Sequence, residues 1–128
     1  MEPVFLELGE ILRIHEDQLD HYGGTTGIRD IKLLQSAVAM PRAGIADRYL
    51  NEDVFEMAAA YLFHIVSDHP FVDGNKRTGA VAALVFLSIN DAETHIEEEE
   101  LEALVRSVAG GKTAKAEIAR FFRDSANE

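Results

Sequence analysis

Apolar side chains recur at steps of three and four residues along most of the chain, which is the period of an amphipathic α-helix. A first helix is predicted over about residues 7–21, with an inward stripe of Leu8, Ile11, Leu12, His15, Leu19 and Tyr22. The glycine-rich stretch "HYGGTTGIRD" stops it. Asp30 is suited to cap a second helix that ends near Met40, because Pro41 cannot continue it.

The second half of the chain is also helical in pattern. A third helix is predicted to begin at Asn51 or Asp53, and its wide apolar surface indicates a central position. The fourth, from Asn75 to about Asn90, is apolar almost all the way round, as is typical of a helix in the middle of a bundle. Two shorter helices are predicted over about 97–108 and 113–123, the first opened by a capping box of Thr94 and Glu97.

These elements predict one all-α domain over residues 1–128, a compact bundle of about six helices around a buried central helix. The stretch "PRAGIADRYLNED" combines turn residues with a hint of alternation, which indicates a loop or a short β-flap. No repeat or linker divides the chain.

Composition narrows the classes of function. The chain has 128 residues, no cysteine and a formal charge of −11. The missing thiols exclude disulfides, zinc-thiolate sites and cysteine nucleophiles. A strongly acidic surface repels nucleic acid and anionic membranes, so neither is an expected partner. The N-terminus does not resemble a signal peptide and no apolar run is long enough for a membrane span, which predicts a cytoplasmic protein.

The start of the fourth helix carries two cations where cations are unfavourable. With Asn75 as N-cap, Lys76 and Arg77 occupy the first two helical positions, each disfavoured by roughly 0.3–1 kcal/mol next to the positive end of the helix dipole. Unpaired backbone N–H groups, the turn residue Gly74 and these cations together make an anion site suited to phosphate oxygens. We therefore expect a phosphate ligand there.

Two residues just upstream add the chemistry that a phosphate site needs. Asp73 can hold a divalent cation such as Mg²⁺, and His69 can accept a proton from an attacking hydroxyl. Each residue alone is equally well explained as a turn, a cap or a solvated charge. Their occurrence within nine residues favours phosphoryl or nucleotidyl transfer.

These nine residues, "HPFVDGNKR", resemble the signature of the Fic/Doc superfamily, which runs His-x-Phe-x-Asp/Glu-Gly/Ala-Asn-x-Arg. Within the superfamily the chain is most similar to the Doc (death-on-curing) toxins. Lys76 replaces the glycine typical of AMP-transferring Fic enzymes, and Ala80 stands where they usually carry a second arginine. Ser67 and Asp68 precede the histidine, and an acid there could orient it.

The resemblance implies a compact all-α bundle that transfers the γ-phosphate of ATP to a threonine of elongation factor Tu and so halts translation. It implies catalytic roles for His69, Asp73 and Arg77, and magnesium at Asp73. It places the nucleotide phosphates on Gly74, Asn75, Lys76 and Arg77, and Phe71 in the core. Two alternatives stay open: a Fic-type nucleotidyl transferase, and a non-catalytic binding protein with the same fold.

The resemblance also implies a separate antitoxin. The Fic inhibitory pattern Ser/Thr-x-x-x-Glu-Gly/Asn is not intact, so inhibition is expected from a partner segment that folds as a helix in a groove of the bundle. The remaining histidines add little. His15 and His64 fall within helices and are expected to be core or half-buried side chains, not ligands.

Overall fold

Six α-helices make up most of the chain in the computed structural model, which describes residues 2–126. They are α1 (Leu8–Tyr22), α2 (Ile31–Ala39), α3 (Val54–Asp68), α4 (Asn75–Ile89), α5 (Glu98–Ala109) and α6 (Lys115–Ala126). Two short antiparallel strands, β1 (Gly44–Ile45) and β2 (Arg48–Tyr49), form a hairpin between α2 and α3. The predicted all-α bundle with a short β-flap is confirmed. No helix within residues 2–126 is long and apolar enough to cross a membrane.

The caps that fix the helix starts agree with the sequence at two places and differ at a third. Asp30 accepts hydrogen bonds from the backbone N–H groups of Lys32 and Leu33, and Asp53 caps α3 in the same manner. The predicted capping box of Thr94 and Glu97 is wrong, because α5 begins at Glu98 and its N-cap residue makes no side-chain cap hydrogen bond. Three acidic residues in the first turn of α5 stabilise this end of the helix dipole instead.

The core lies around α3 and α4, as their apolar surfaces predict. Eight residues of α3 are buried, and α4 contributes Ala82, Ala83, Phe86 and Leu87 to the same core. Tyr61 of α3 also ties down the N-terminal segment. Its hydroxyl accepts a hydrogen bond from the Leu6 N–H at 2.9 Å and donates one to the Leu6 carbonyl at 3.2 Å. Burial raises the pKa of Tyr61 to about 12, so this link stays neutral at physiological pH.

A glycine allows α3 and α4 to approach each other closely. A Cβ added at Gly79 would lie 2.7 Å from Cγ2 of Val66 and 3.3 Å from the carbonyl oxygen of Leu62. We expect Gly79→Ala to lower the free energy of unfolding by about 1–3 kcal/mol, measured by urea denaturation. Gly9→Ala is the matched control. Its Cβ meets nothing within 4 Å, so we expect it to raise stability by up to about 1 kcal/mol.

Candidate active site

A cleft of about 730 Å³ opens where α4 begins. One wall is the signature loop, residues 69–74, which joins α3 to α4. The end of α1, the first turns of α4 and the inner face of α5 complete the lining, through Gln18, Tyr22, Asn75, Lys76, Arg77, Ala80, Val81, Glu98, Leu101, Glu102, Val105 and Arg106. All the site residues predicted from the sequence line this one cleft.

His69 lies at the junction of α3 and the signature loop. It is the C-cap residue of α3, with φ 50° and ψ 57°, a left-handed conformation that is unfavourable for a residue with a side chain. The residue is exposed and lines the cleft, so its imidazole is accessible to a ligand. Strain of this kind persists only where the surrounding structure holds it, and it is common at functional sites.

The N-terminus of α4 presents unpaired backbone donors. The first intrahelical hydrogen bond runs from the Thr78 N–H to the Gly74 carbonyl at 2.9 Å. The preceding N–H groups of Asn75, Lys76 and Arg77 have no acceptor among residues 2–126. Gly74 is the N-cap residue with φ 79°, a conformation that favours glycine. The donors can therefore serve an anion in the cleft.

Asn75 differs from its expected role. Its prediction as the N-cap residue is wrong, because it is the first residue of the helix and its side chain points inward. The side-chain oxygen accepts from the Phe71 N–H and the side-chain nitrogen donates to the Phe71 carbonyl, both at 3.0 Å. The amide oxygen and one of the two amide N–H donors of Asn75 close the signature loop, so its backbone N–H and the second amide N–H can still be offered to a ligand.

Lys76 and Arg77 are exposed in the cleft without a carboxylate partner. No ion pair within 4.0 Å involves either side chain in the part of the chain that the structure describes. The Arg77 guanidinium instead lies 4.7 Å from the centroid of the Tyr22 ring, a cation–π contact. Glu102, on the α5 side, is bonded to Arg106. The protein's own acids therefore leave the positive end of α4 open.

Asp73 is held by backbone donors on both oxygens. Oδ2 accepts from the Thr25 N–H at 3.0 Å and Oδ1 from the Gly74 N–H at 2.8 Å. These two hydrogen bonds hold the pKa of the Asp73 carboxyl below its usual range. The carboxylate is ionised and oriented, as a cation ligand must be. No cluster of three potential ligands exists within residues 2–126, so phosphate and water would supply the other ligands of a magnesium ion.

His15 has a role in the site that its helical position alone did not suggest. It is buried, as predicted, and its Nε2 lies 2.8 Å from the carbonyl oxygen of Asp73. Its ring stacks on Phe71 at 3.7 Å between centroids and 6° between planes. Phe71 is itself buried, which confirms that it anchors the loop in the core. His15 thus supports the signature loop from beneath.

The acid next to His69 is directed elsewhere. Oδ2 of Asp68 lies 3.4 Å from Nδ1 of His64, and Nε2 of the same imidazole lies 2.8 Å from Nζ of Lys115. Burial and the neighbouring ammonium lower the pKa of His64, and burial lowers the pKa of Lys115. The three groups join α6 to the end of α3. Asp68 is therefore paired with the histidine one turn back from the cleft.

Comparisons with known proteins agree with this geometry. The model of the Fic/DOC family matches residues 5–87. The protein kinase doc of Escherichia phage P1 is 30% identical over 114 residues, 89% of each chain. The toxin Doc of Mycolicibacterium smegmatis is 37% identical over 90 residues, 69% of each chain. This chain belongs to the Fic/DOC family.

Proposed function

We propose that this chain is the toxin of a toxin–antitoxin system, and that it transfers the γ-phosphate of ATP to a threonine hydroxyl of a translation protein such as elongation factor Tu. One observation carries the proposal: the unpaired N–H groups at the start of α4 and two unpaired cations face a cleft that also contains an accessible His69. The names of the relatives, a protein kinase and a toxin, support the same conclusion. With such a target, the protein would act in the cytoplasm.

In the proposed reaction His69 is the general base. Its imidazole takes the proton of the acceptor hydroxyl as that oxygen bonds to the γ-phosphorus. The bond between the γ-phosphorus and the β–γ bridging oxygen breaks, and ADP leaves with the electron pair. Lys76, Arg77 and the N–H groups of Asn75 to Arg77 stabilise the charge that develops on the phosphate oxygens. Asp73 would hold Mg²⁺, which when bound would neutralise part of the negative charge of the triphosphate.

A labelled-donor experiment separates phosphate transfer from AMP transfer. We expect label from ATP marked at the γ-position, and none from ATP marked at the α-position, to enter a protein of the cell extract. The expectation rests on Lys76, because its side chain fills the space through which glycine would let backbone approach the phosphates. Incorporation from the α-position alone would establish the nucleotidyl transferase instead. No incorporation from either donor would favour the non-catalytic binding protein.

The same cleft suits the helix of an antitoxin. Beyond the phosphate end, Val81, Leu101 and Val105 form an apolar floor, and Glu98 and Glu102 stand at its α5 side. An amphipathic segment that folds on binding could lay its apolar side on this floor. A partner there would cover the nucleotide site directly, which is a physical route to inhibition.

A further inference from the structure

The left-handed backbone of His69 requires an explanation. A residue with a side chain at φ 50° and ψ 57° is disfavoured, and this one also ends a helix. The carbonyl groups at the end of α3 lack partners within the helix. Helices often end on a residue in this conformation, but glycine is the usual one, so we expect contacts from outside α3 to offset the cost of the His69 side chain.

Those contacts come from Arg29, which lies in the glycine-rich loop, residues 23–30. Its Nε donates to the His69 carbonyl at 2.6 Å and one terminal nitrogen donates to the Asp68 carbonyl at 2.7 Å. Its backbone N–H donates to the Pro70 carbonyl at 2.7 Å. One residue thus binds three consecutive carbonyl groups around the candidate base. A guanidinium at this position also complements the negative end of the helix dipole.

We call the three hydrogen bonds from Arg29 to the carbonyl groups of residues 68–70 the Arg29 clamp. The backbone on both sides of Arg29 is itself held in place. The Asp30 N–H donates to the same Pro70 carbonyl at 3.0 Å, and Asp30 is the N-cap of α2. On the other side, the Val72 N–H donates to the Gly27 carbonyl at 3.0 Å, and Ile28 forms a bridge with Phe71. Because hydrogen bonds hold the glycine-rich loop on both sides of Arg29, the guanidinium group is positioned at the end of α3 without a ligand.

We propose that Arg29 is a positioning residue for His69. By holding the carbonyl groups on both sides of the His69 Cα, it fixes the backbone from which the imidazole projects toward the cleft. The kinetic part of this inference rests on the proposed phosphate transfer. The geometric part does not, since it concerns only the conformation of His69. A structural cap alone would stabilise α3 without an effect specific to the imidazole.

The test compares Arg29→Gln, Arg29→Lys and Lys32→Gln in the full chain. Lys32 is an exposed cation at the start of α2, so its substitution controls for the loss of one charge. For Arg29→Gln we expect kcat of γ-phosphate transfer to elongation factor Tu to fall by about tenfold or more, with KM for ATP within about twofold. Arg29→Lys should recover part of the rate, because an ammonium can still bind one of the two carbonyl groups. Lys32→Gln should match the wild type.

A second measurement keeps the inference independent of the reaction. In ¹H–¹⁵N spectra we expect Arg29→Gln to shift the backbone and ring signals of His69, while signals of the distant hairpin stay in place. Shifted signals in a protein that transfers no phosphate would overturn the proposed function and leave the clamp standing. Unchanged His69 signals would overturn the clamp, as would an unchanged kcat in an active enzyme.

Discussion

His69→Ala is expected to lower the rate of phosphate transfer by about 10²–10⁴-fold, the usual contribution of a general base. The His69 imidazole is an accessible proton acceptor next to the N-terminus of α4, where the phosphates are expected. The methyl side chain of alanine cannot accept a proton. Growth arrest on expression should disappear with it. The dissociation constant for ATP should change little, because the phosphates are expected on α4 and not on the imidazole. Single-turnover kinetics and equilibrium nucleotide binding measure the two effects separately.

His95→Ala is the matched control for this substitution. His95 is also exposed, and its backbone N–H is bonded to the Ser125 carbonyl, outside the residues that line the cleft. The His95→Ala variant should arrest growth and transfer phosphate as the wild type does. If His69→Ala were folded, bound ATP and still transferred phosphate at the wild-type rate, His69 would not be the base. Equal toxicity of both variants without phosphate transfer would favour a binding protein.

The helices could be predicted because their causes are local. Asp30 caps the helix that follows it, and Pro41 ends the regular α-helical hydrogen bonding of α2. The apolar stripes face the core, except that the inward position predicted for Tyr22 is wrong, because this side chain at the end of α1 is 62% exposed and lines the cleft. Capping and periodicity act over one or two turns, so they can be read from neighbouring residues. For the hairpin, the residue pattern predicts only a loop or a short β-flap. Its turn places Ala46 and Asp47 at positive φ, and an alanine at the first of these positions does not predict a tight hairpin turn.

The parts of the site that were missed depend on contacts between distant residues. His15 lies on the inward stripe of α1, but its hydrogen bond to Asp73 spans 58 residues. Arg29 reaches the end of α3 across 39 and 40 residues. No periodicity encodes such pairings. The residues predicted to supply chemistry are close together in the sequence and can be recognised as a group, whereas the residues that support the loop belong to other elements.

The start of α4 is close to its predicted position, but the role predicted for the Asn75 side chain is wrong. Both glycine and asparagine occur as N-cap residues, and asparagine is the more favoured of the two, so the residue types alone indicate Asn75. The structure selects Gly74, whose φ of 79° turns the chain, and this turn directs the Asn75 amide to Phe71 in place of the helix N–H groups. Because the helix begins one residue earlier than the prediction assumed, the Asn75 side chain stabilises the signature loop and does not cap the helix.

Lys76→Gly is expected to lower phosphate transfer by roughly ten- to a hundredfold, the worth of a hydrogen bond to a charged group. Lys76 is exposed at the second position of α4 and has no ion pair within residues 2–126, so its ammonium is available to a phosphate. Glycine also removes the Cβ and lets the helix backbone approach the nucleotide. We therefore expect a changed nucleotide pose, detected as label from the α-position of ATP entering protein.

Lys76→Ala distinguishes the effect of the lost ammonium charge from the effect of the lost Cβ. Alanine removes the ammonium but keeps the Cβ, so phosphate transfer should fall by a similar factor without any gain of AMP transfer. A gain with both variants would mean that charge alone sets the pose. Unchanged phosphate transfer by Lys76→Gly would show that the lysine neither binds the donor nor determines which phosphorus faces the acceptor. Arg77 and the unpaired N–H groups of α4 would then make up the phosphate site without Lys76.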